Sequence, residues 1–156
     1  MKKNNNSTFY RLPARYTLAF LAMAGSVSVA MADGKISMDG FSLNPGETIT
    51  VPVNLEQDGD VVNLQASIVL PEGLTLVDSK QNEDRVTPGY HNFLTTKSGN
   101  THNFFILSTN FDPIYGNEGM LFELTLVADS RYKGDDILVT NIEISTDLED
   151  LSLIHI

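Results

Sequence analysis

A period of two constrains this chain more than any other feature. Ile49, Val51, Val53 and Leu55 alternate with Thr48, Thr50, Pro52 and Asn54. Val62, Leu64, Ala66, Ile68 and Leu70 alternate with Asn63, Gln65, Ser67 and Val69. Successive side chains of a strand point to opposite faces, so each run has one apolar face and one polar face. Past residue 32, no stretch of about ten residues keeps the i, i+3, i+4, i+7 spacing of a helix.

Turn chemistry separates the runs. Asn44-Pro45-Gly46 precedes the first, Gln57-Asp58-Gly59-Asp60 the second, and Pro71-Glu72-Gly73 ends it. Proline presets φ and glycine admits positive φ at such places. Pro52 lacks an N–H, so its strand is expected at an edge or beside a bulge. Leu74–Val77 reads as a short return and 79–89 as a polar loop. Tyr90–Thr96 and His102–Thr109 flank Lys97-Ser98-Gly99-Asn100-Thr101 and predict a hairpin. Phe104 to Leu107 is apolar on both faces, which suits a central strand. A loop over 109–119 leads to a long strand at Met120–Ala128. A charged loop over 129–136 leads to a last strand at Ile137–Ile144. About seven or eight such strands, with turns between them, make an all-β antiparallel sandwich.

The N-terminus follows other rules. Lys2, Lys3, Arg11 and Arg15 lead into a mostly apolar or small run from Tyr16 to Met31. It ends in Ala30-Met31-Ala32 before Asp33. A basic region, an apolar region and a small-x-small end make a secretory signal peptide over 1–32, cleaved near Ala32. The alternative is an uncleaved anchor, but the run is short against the roughly 20 residues of a full span. No later stretch is long and apolar enough to span. Taking four basic residues from 10 leaves 6 against 20 acidic ones, a net charge of −14. That balance argues against nucleic acid as a partner. The chain has no Cys, which excludes disulfides, thiolate metal sites and a lipid-modified cysteine. An exported domain over 33–150 without disulfides fits a bacterial secreted or cell-surface protein, and it is long enough to hold a core.

Catalytic signatures are missing. There is no nucleophile elbow, zinc-protease helix motif or phosphate loop. Carboxylates are so abundant that an acid/base pair could always be chosen, so their presence carries no signal. His91 and His102 would face each other across the predicted hairpin and could share a metal; two ordinary hairpin residues are the alternative. Asp58, Asp60, Asp135 and Asp136 lie in predicted turns. A structural calcium ion is the one cofactor such residues suggest, although Asp also favours turns for backbone reasons. The chain is therefore expected to be no enzyme and to need no cofactor. Asn63, Gln65 and Ser67 form an uncharged polar row expected on the solvent face of its strand. Such a row can meet a partner or simply be solvated.

The order of these signals resembles a known family. Leu43-Asn44-Pro45-Gly46-Glu47-Thr48-Ile49-Thr50-Val51-Pro52-Val53 resembles the opening of a cohesin-type domain. Leu64 to Leu74, with its Pro71-Glu72-Gly73 turn, looks like the following strand in cohesin-like domains of Bacteroidetes secreted proteins. Gly116-Asn117-Glu118-Gly119 feeding Met120–Leu126 is similar to the turn before a long core strand. The resemblance covers about residues 36–145. It implies an antiparallel β-sandwich of jelly-roll type with about eight or nine strands. It also implies a non-catalytic module that docks a dockerin-like partner through one flat sheet. Asn63, Gln65 and Ser67 would then face the partner. The match frays at residues 151–156, which look like foreign read-through; a genuine short last strand is the other reading.

Three functions follow. The first is protein docking on a cell surface or secreted complex. The second is a structural domain of a larger surface protein. The third is carbohydrate binding. Sugar platforms favour coplanar aromatics, and here Trp is absent while Tyr90, Tyr115 and Tyr132 fall in or near predicted loops.

Overall fold

Where the sequence alternates, the backbone is extended. A computed structural model of the chain describes residues 10–11, 14–17, 21–31, 34–135 and 137–146. Its strands are β1 (Tyr10–Arg11), β2 (Ala14–Thr17), β3 (Leu21–Ala24), β4 (Val27–Met31), β5 (Gly34–Met38), β6 (Phe41–Leu43) and β7 (Thr48–Gln57). They continue with β8 (Asn63–Val69), β9 (Leu74–Gln81), β10 (His91–Ser98), β11 (Thr101–Ser108), β12 (Met120–Ala128) and β13 (Leu138–Ser145). Among the described residues there is no helix.

Two antiparallel sheets form the body. One has the order β1-β13-β8-β11-β10, the other β4-β5-β7-β12-β9. A small third sheet joins β2, β3 and β6. From β5 onward eight strands build the expected antiparallel sandwich, and β6 belongs to the small third sheet. β1 and β4, which belong to the stretch read as a leader, occupy the outermost positions of the two sheets. The strand order β13-β8-β11-β10 and the order β5-β7-β12-β9 hold without them. Ala32, Asp33, Asp136 and the 151–156 tail lie outside the described residues.

The inward faces match the alternation. Val51, Val53 and Leu55 of β7, Leu64, Ala66 and Ile68 of β8, and Leu124 and Leu126 of β12 are buried. Phe104 of β11 stacks on Phe122 of β12 with centroids 5.0 Å apart, which ties one sheet to the other. Phe93 of β10 joins them at 5.1 Å from Phe122.

Two expectations need correction, the extent of β9 and the hairpin turn, while Pro52 and the short strands β5 and β6 need a physical account. Of the two places expected for Pro52 the structure uses the bulge, since β7 lies between β5 and β12 and is no edge. Pro52 is tolerated because β5 stops at the Met38↔Val53 pair, one residue before it. On the other side the β12 ladder is bulged between Met120 and Phe122, close to the Pro52↔Glu123 pair. β9 runs on to Gln81, through residues read as loop. It has only β12 as a neighbour, so it carries a polar, solvated sequence, as edge strands often do. β5 and β6 are too short to show a periodic signal. The hairpin is tighter than expected. Ser98 pairs with Thr101, and Gly99 takes φ of 61°, which fits a type II′ turn.

One glycine is fixed by space as well as by φ. Gly73 has φ of 82°, and a Cβ there would collide with the backbone of Arg131 and Tyr132. Its carbonyl accepts from Asp129 N–H at 2.8 Å, which holds the 129–134 loop against the β8–β9 turn.

Val53 and Leu124 sit in the inter-sheet core with nothing polar to receive a charge. Val53→Asp or Leu124→Asp is expected to abolish cooperative unfolding, since an unpaired buried carboxylate costs several kcal/mol. A soluble variant with a sharp thermal transition would show that these side chains face the other way.

Candidate binding face and loop end

β8 is central in its sheet. Leu64, Ala66 and Ile68 point into the core, so Asn63, Gln65, Ser67 and Val69 point outward. The register sets them in rows. Ser67 lies between Thr140 of β13 and Asn103 of β11, which in turn faces Thr96 of β10. Gln65 lies between Glu143 and Phe105, and Phe105 faces Leu94.

The outward direction of the three predicted residues is as expected, but their exposure is not. Asn63 and Ser67 are each 1 % exposed, and Gln65 is half-buried. A central strand has cross-strand neighbours on both sides, and short polar side chains sink between them. Accessibility shifts to the edge strand β10, where Asn92, Leu94, Thr96 and Ser98 are exposed.

Burial has been compensated by hydrogen bonds. Asn141 Nδ2 donates to Ser67 Oγ at 3.4 Å. Ser67 Oγ donates to Asn103 Oδ1 at 2.6 Å. Asn103 Nδ2 donates to Thr96 Oγ1 at 3.1 Å. The ladder crosses the four strands β13-β8-β11-β10. Asn141 reaches it because β13 is bulged between Thr140 and Glu143. Asn141 has φ of 50° there, a conformation asparagine adopts more readily than most residues. Asn63 Oδ1 accepts from Ser108 N–H at 3.0 Å. In the next row two acceptors, Gln65 Oε1 and Glu143 Oε2, are buried without a hydrogen-bond partner. Glu143 is the only charged residue in these rows.

A second set of contacts rigidifies one end of the sandwich. Arg85, 6 % exposed, follows β9 in a turn. Its Nε donates to Tyr115 O at 2.7 Å. Nη1 donates to Leu55 O at 3.0 Å and Gly119 O at 2.5 Å. Nη2 donates to Gln57 Oε1 at 3.0 Å and Gly116 O at 3.3 Å. The planar fork thus closes the 111–119 loop over the end of β7. Burial lowers the guanidinium pKa from its ordinary value, while Glu118 acts in the opposite direction.

His91 supports the same loop. Thr87 N–H donates to its Nδ1 at 3.1 Å, and its Nε2 lies 3.0 Å from Asp112 O. With Nδ1 accepting, the proton resides on Nε2. The His91 ring meets Tyr115 edge-on at 5.9 Å. His91 and His102 do not face each other. His91 pairs with Ser108 and His102 with Lys97, at opposite ends of the hairpin. Among the described residues no three His, Asp or Glu side chains converge as a metal site. Asp58, Asp60 and Asp135 are exposed.

Sequence reasoning missed Arg85, His91's latch and Phe111. Periodicity cannot find them, because all three act from turns or strand ends. The usable signal for Arg85 was a lone cation in the acidic run Asn82-Glu83-Asp84.

No protein-family model matches the chain, and no curated protein matches it. Solved structures do. A cohesin of Clostridium acetobutylicum in a complex with a dockerin is 23% identical, with a TM-score of 0.55 over 66% of this chain and 79% of that one. A type I cohesin–dockerin complex from Clostridium thermocellum gives a TM-score of 0.55 at 12% identity, over 65% of this chain and 74% of that one. The sixth cohesin of scaffoldin B from Acetivibrio cellulolyticus, also in complex with a dockerin, gives 0.51 at 20% identity, over 66% and 74%. The fold is that of cohesin domains.

Two outcomes follow from these contacts. Arg85→Leu leaves several acceptors without a donor, and it should lower stability by about 3 kcal/mol or more. Arg85→Lys should not restore it, because one ammonium cannot span the fork. Urea unfolding of both variants reads this directly, and a lysine variant as stable as wild type would refute the clamp. His102 is buried, and burial, with Lys97 nearby, holds its imidazole pKa below the ordinary value. A His lowered in the fold binds its proton more readily when unfolded, so stability is full above the unfolded value of about 6.5 and declines below it. His102→Gln should flatten stability against pH in that acid range.

Proposed function

We propose that this chain is a non-catalytic docking module, and that the outer face of β13-β8-β11-β10 receives a protein partner of the dockerin kind outside the cell. The observation that carries the reading is the Asn141–Ser67–Asn103–Thr96 ladder. A sheet face that only meets water has no need to immobilise its polar side chains against each other. A face that meets a partner gains from it, because the ordering cost is met before association.

The composition of the face agrees. Its rows hold Phe105 and Leu107 beside amides and hydroxyls, Leu94 stands exposed at the edge, and neither Lys nor Arg occurs in them. Apolar groups set among polar ones are typical of the centre of a protein interface. The solved structures of the same fold contain dockerin partners, which favours this class of partner for the present chain. The leader read in residues 1–32 supports export, with docking on a cell surface or in a secreted complex. Within this reading Asn63, Ser67 and Gln65 shape the face from beneath, and β10 makes the first contact. No helix among the described residues is long and apolar enough to cross a membrane.

The test is a calorimetric titration of the purified chain with recombinant dockerin modules from its own source genome. At least one should bind at 1:1. Leu94→Arg should weaken that binding by about 100-fold, in the range of an interface anchor. Val77→Arg, on the other sheet and exposed, should leave it unchanged. Failure of every module to bind, or equal binding by Leu94→Arg, would overturn the assignment.

A further inference from the structure

We propose a second, independent binding site at the loop end, formed by the turn before β10 and the 109–119 loop, that takes the sugar rings of a neutral glycan chain. Three aromatic side chains are exposed there: Tyr90 at 48 %, Phe111 at 46 % and Tyr115 at 41 %. The segments that carry these rings meet at one buried residue, His91. Tyr90 precedes His91 in the chain, Phe111 precedes the residue whose carbonyl meets His91 Nε2, and the Tyr115 ring packs on the His91 ring.

The segments that carry these rings are held firmly. Tyr90 O accepts from Thr109 N–H and from Thr109 Oγ1, each at 2.9 Å. Tyr115 O accepts from Arg85 Nε, and Tyr115 N–H donates back to Arg85 O at 3.1 Å. Ile114 is buried between them and donates to Val61 O at 2.7 Å. Phe111 itself has φ of 63°. A bulky residue at positive φ costs on the order of 1–3 kcal/mol, and such strain gathers at functional sites. Here the strained residue presents its ring to solvent, so core packing does not account for it.

The surrounding chemistry selects the occupant. The exposed charges of these segments are carboxylates, among them Glu83, Asp84 and Glu118. The only cation, Arg85, is buried and spends its donors on the protein's own acceptors. Phosphate, sulfate and uronate ligands therefore meet repulsion. A pyranose ring offers C–H groups to an aromatic face and hydroxyl donors at its rim. The rings of this surface, with Asn110, Asn117 and the carboxylates around them, supply both counterparts. This surface shares no residue with the sheet face assigned to docking.

The experiment is calorimetry of the purified full chain with four probes: hexasaccharides of β-1,4-linked glucose, xylose and mannose, and of α-1,4-linked glucose. At least one should bind, with affinity little changed by high salt. Phe111→Ala should weaken it about tenfold or more. Phe111→Gly, which removes the ring and accepts the positive φ, should do the same while remaining folded. Leu94→Arg should bind as wild type. Absence of binding to all four probes, or wild-type binding by Phe111→Gly, would overturn the proposal. So would salt-sensitive binding of polylysine at this end in place of the glycans, which would assign the rings and carboxylates to a basic protein segment.

Discussion

The contact between Phe104 and Phe122 is the hinge on which the molecule is organised. One ring comes from each sheet, and their stacking sets how far apart the sheets stand. Each buried phenyl contributes roughly 1.5–3 kcal/mol by leaving water, with about 0.5–1.5 kcal/mol more for the ring pair. A chain with no cysteine has no covalent substitute for this contact. Both candidate surfaces inherit their geometry from it. The sheet face is the reverse side of the strands that carry Phe93 and Phe104. The loop end is tied by Arg85 to Leu55, a core residue of the opposite sheet.

Two kinds of polar order are layered on that core. The outer face uses neutral side chains bonded to neighbours on adjacent strands. The loop end uses one buried cation and one imidazole bonded mainly to backbone carbonyls. The difference has a physical reason. Strand backbones already satisfy each other, so side chains on a sheet must find partners among themselves. Loop carbonyls have no ladder, and a buried loop would be costly without a donor cluster to receive them. Arg85 supplies several donors from a single side chain, which is why one residue can hold an entire loop.

The sequence made the core faces legible because burial imposes a period of two. Val51, Val53, Leu64, Ile68 and Leu124 all lie where their alternation places them. It also made the direction of Asn63, Gln65 and Ser67 legible. Their accessibility was not, because exposure depends on what the neighbouring strands carry, and Asn103 and Leu107 are about forty residues away in the chain. Polar β9 is only partly legible as a strand, since an edge strand tolerates a hydrophilic sequence along its length. His91 and His102 were misplaced for a simpler reason. Both belong to the hairpin, but antiparallel partners lie equally far from the turn, and His91 is eight residues before Gly99 while His102 is two after Asn100, so they oppose Ser108 and Lys97 instead.

Charge distribution explains why the two surfaces can coexist on one small domain. Without residues 1–32 the chain carries 20 acidic and 6 basic residues, yet Glu143 is the only charge in the rows of the sheet face. Most of the other described acidic groups lie in loops, and Glu56 of β7, Asp78 of β9 and Glu123 of β12 belong to the other sheet. The resulting negative field disfavours polyanions, while the sheet face itself brings only Glu143 to close contact. Under the proposed docking, selection of a partner on that face rests on shape and hydrogen bonding. The buried acceptors of Gln65 and Glu143 enforce this, because a partner that brings no donor to them leaves both unsatisfied.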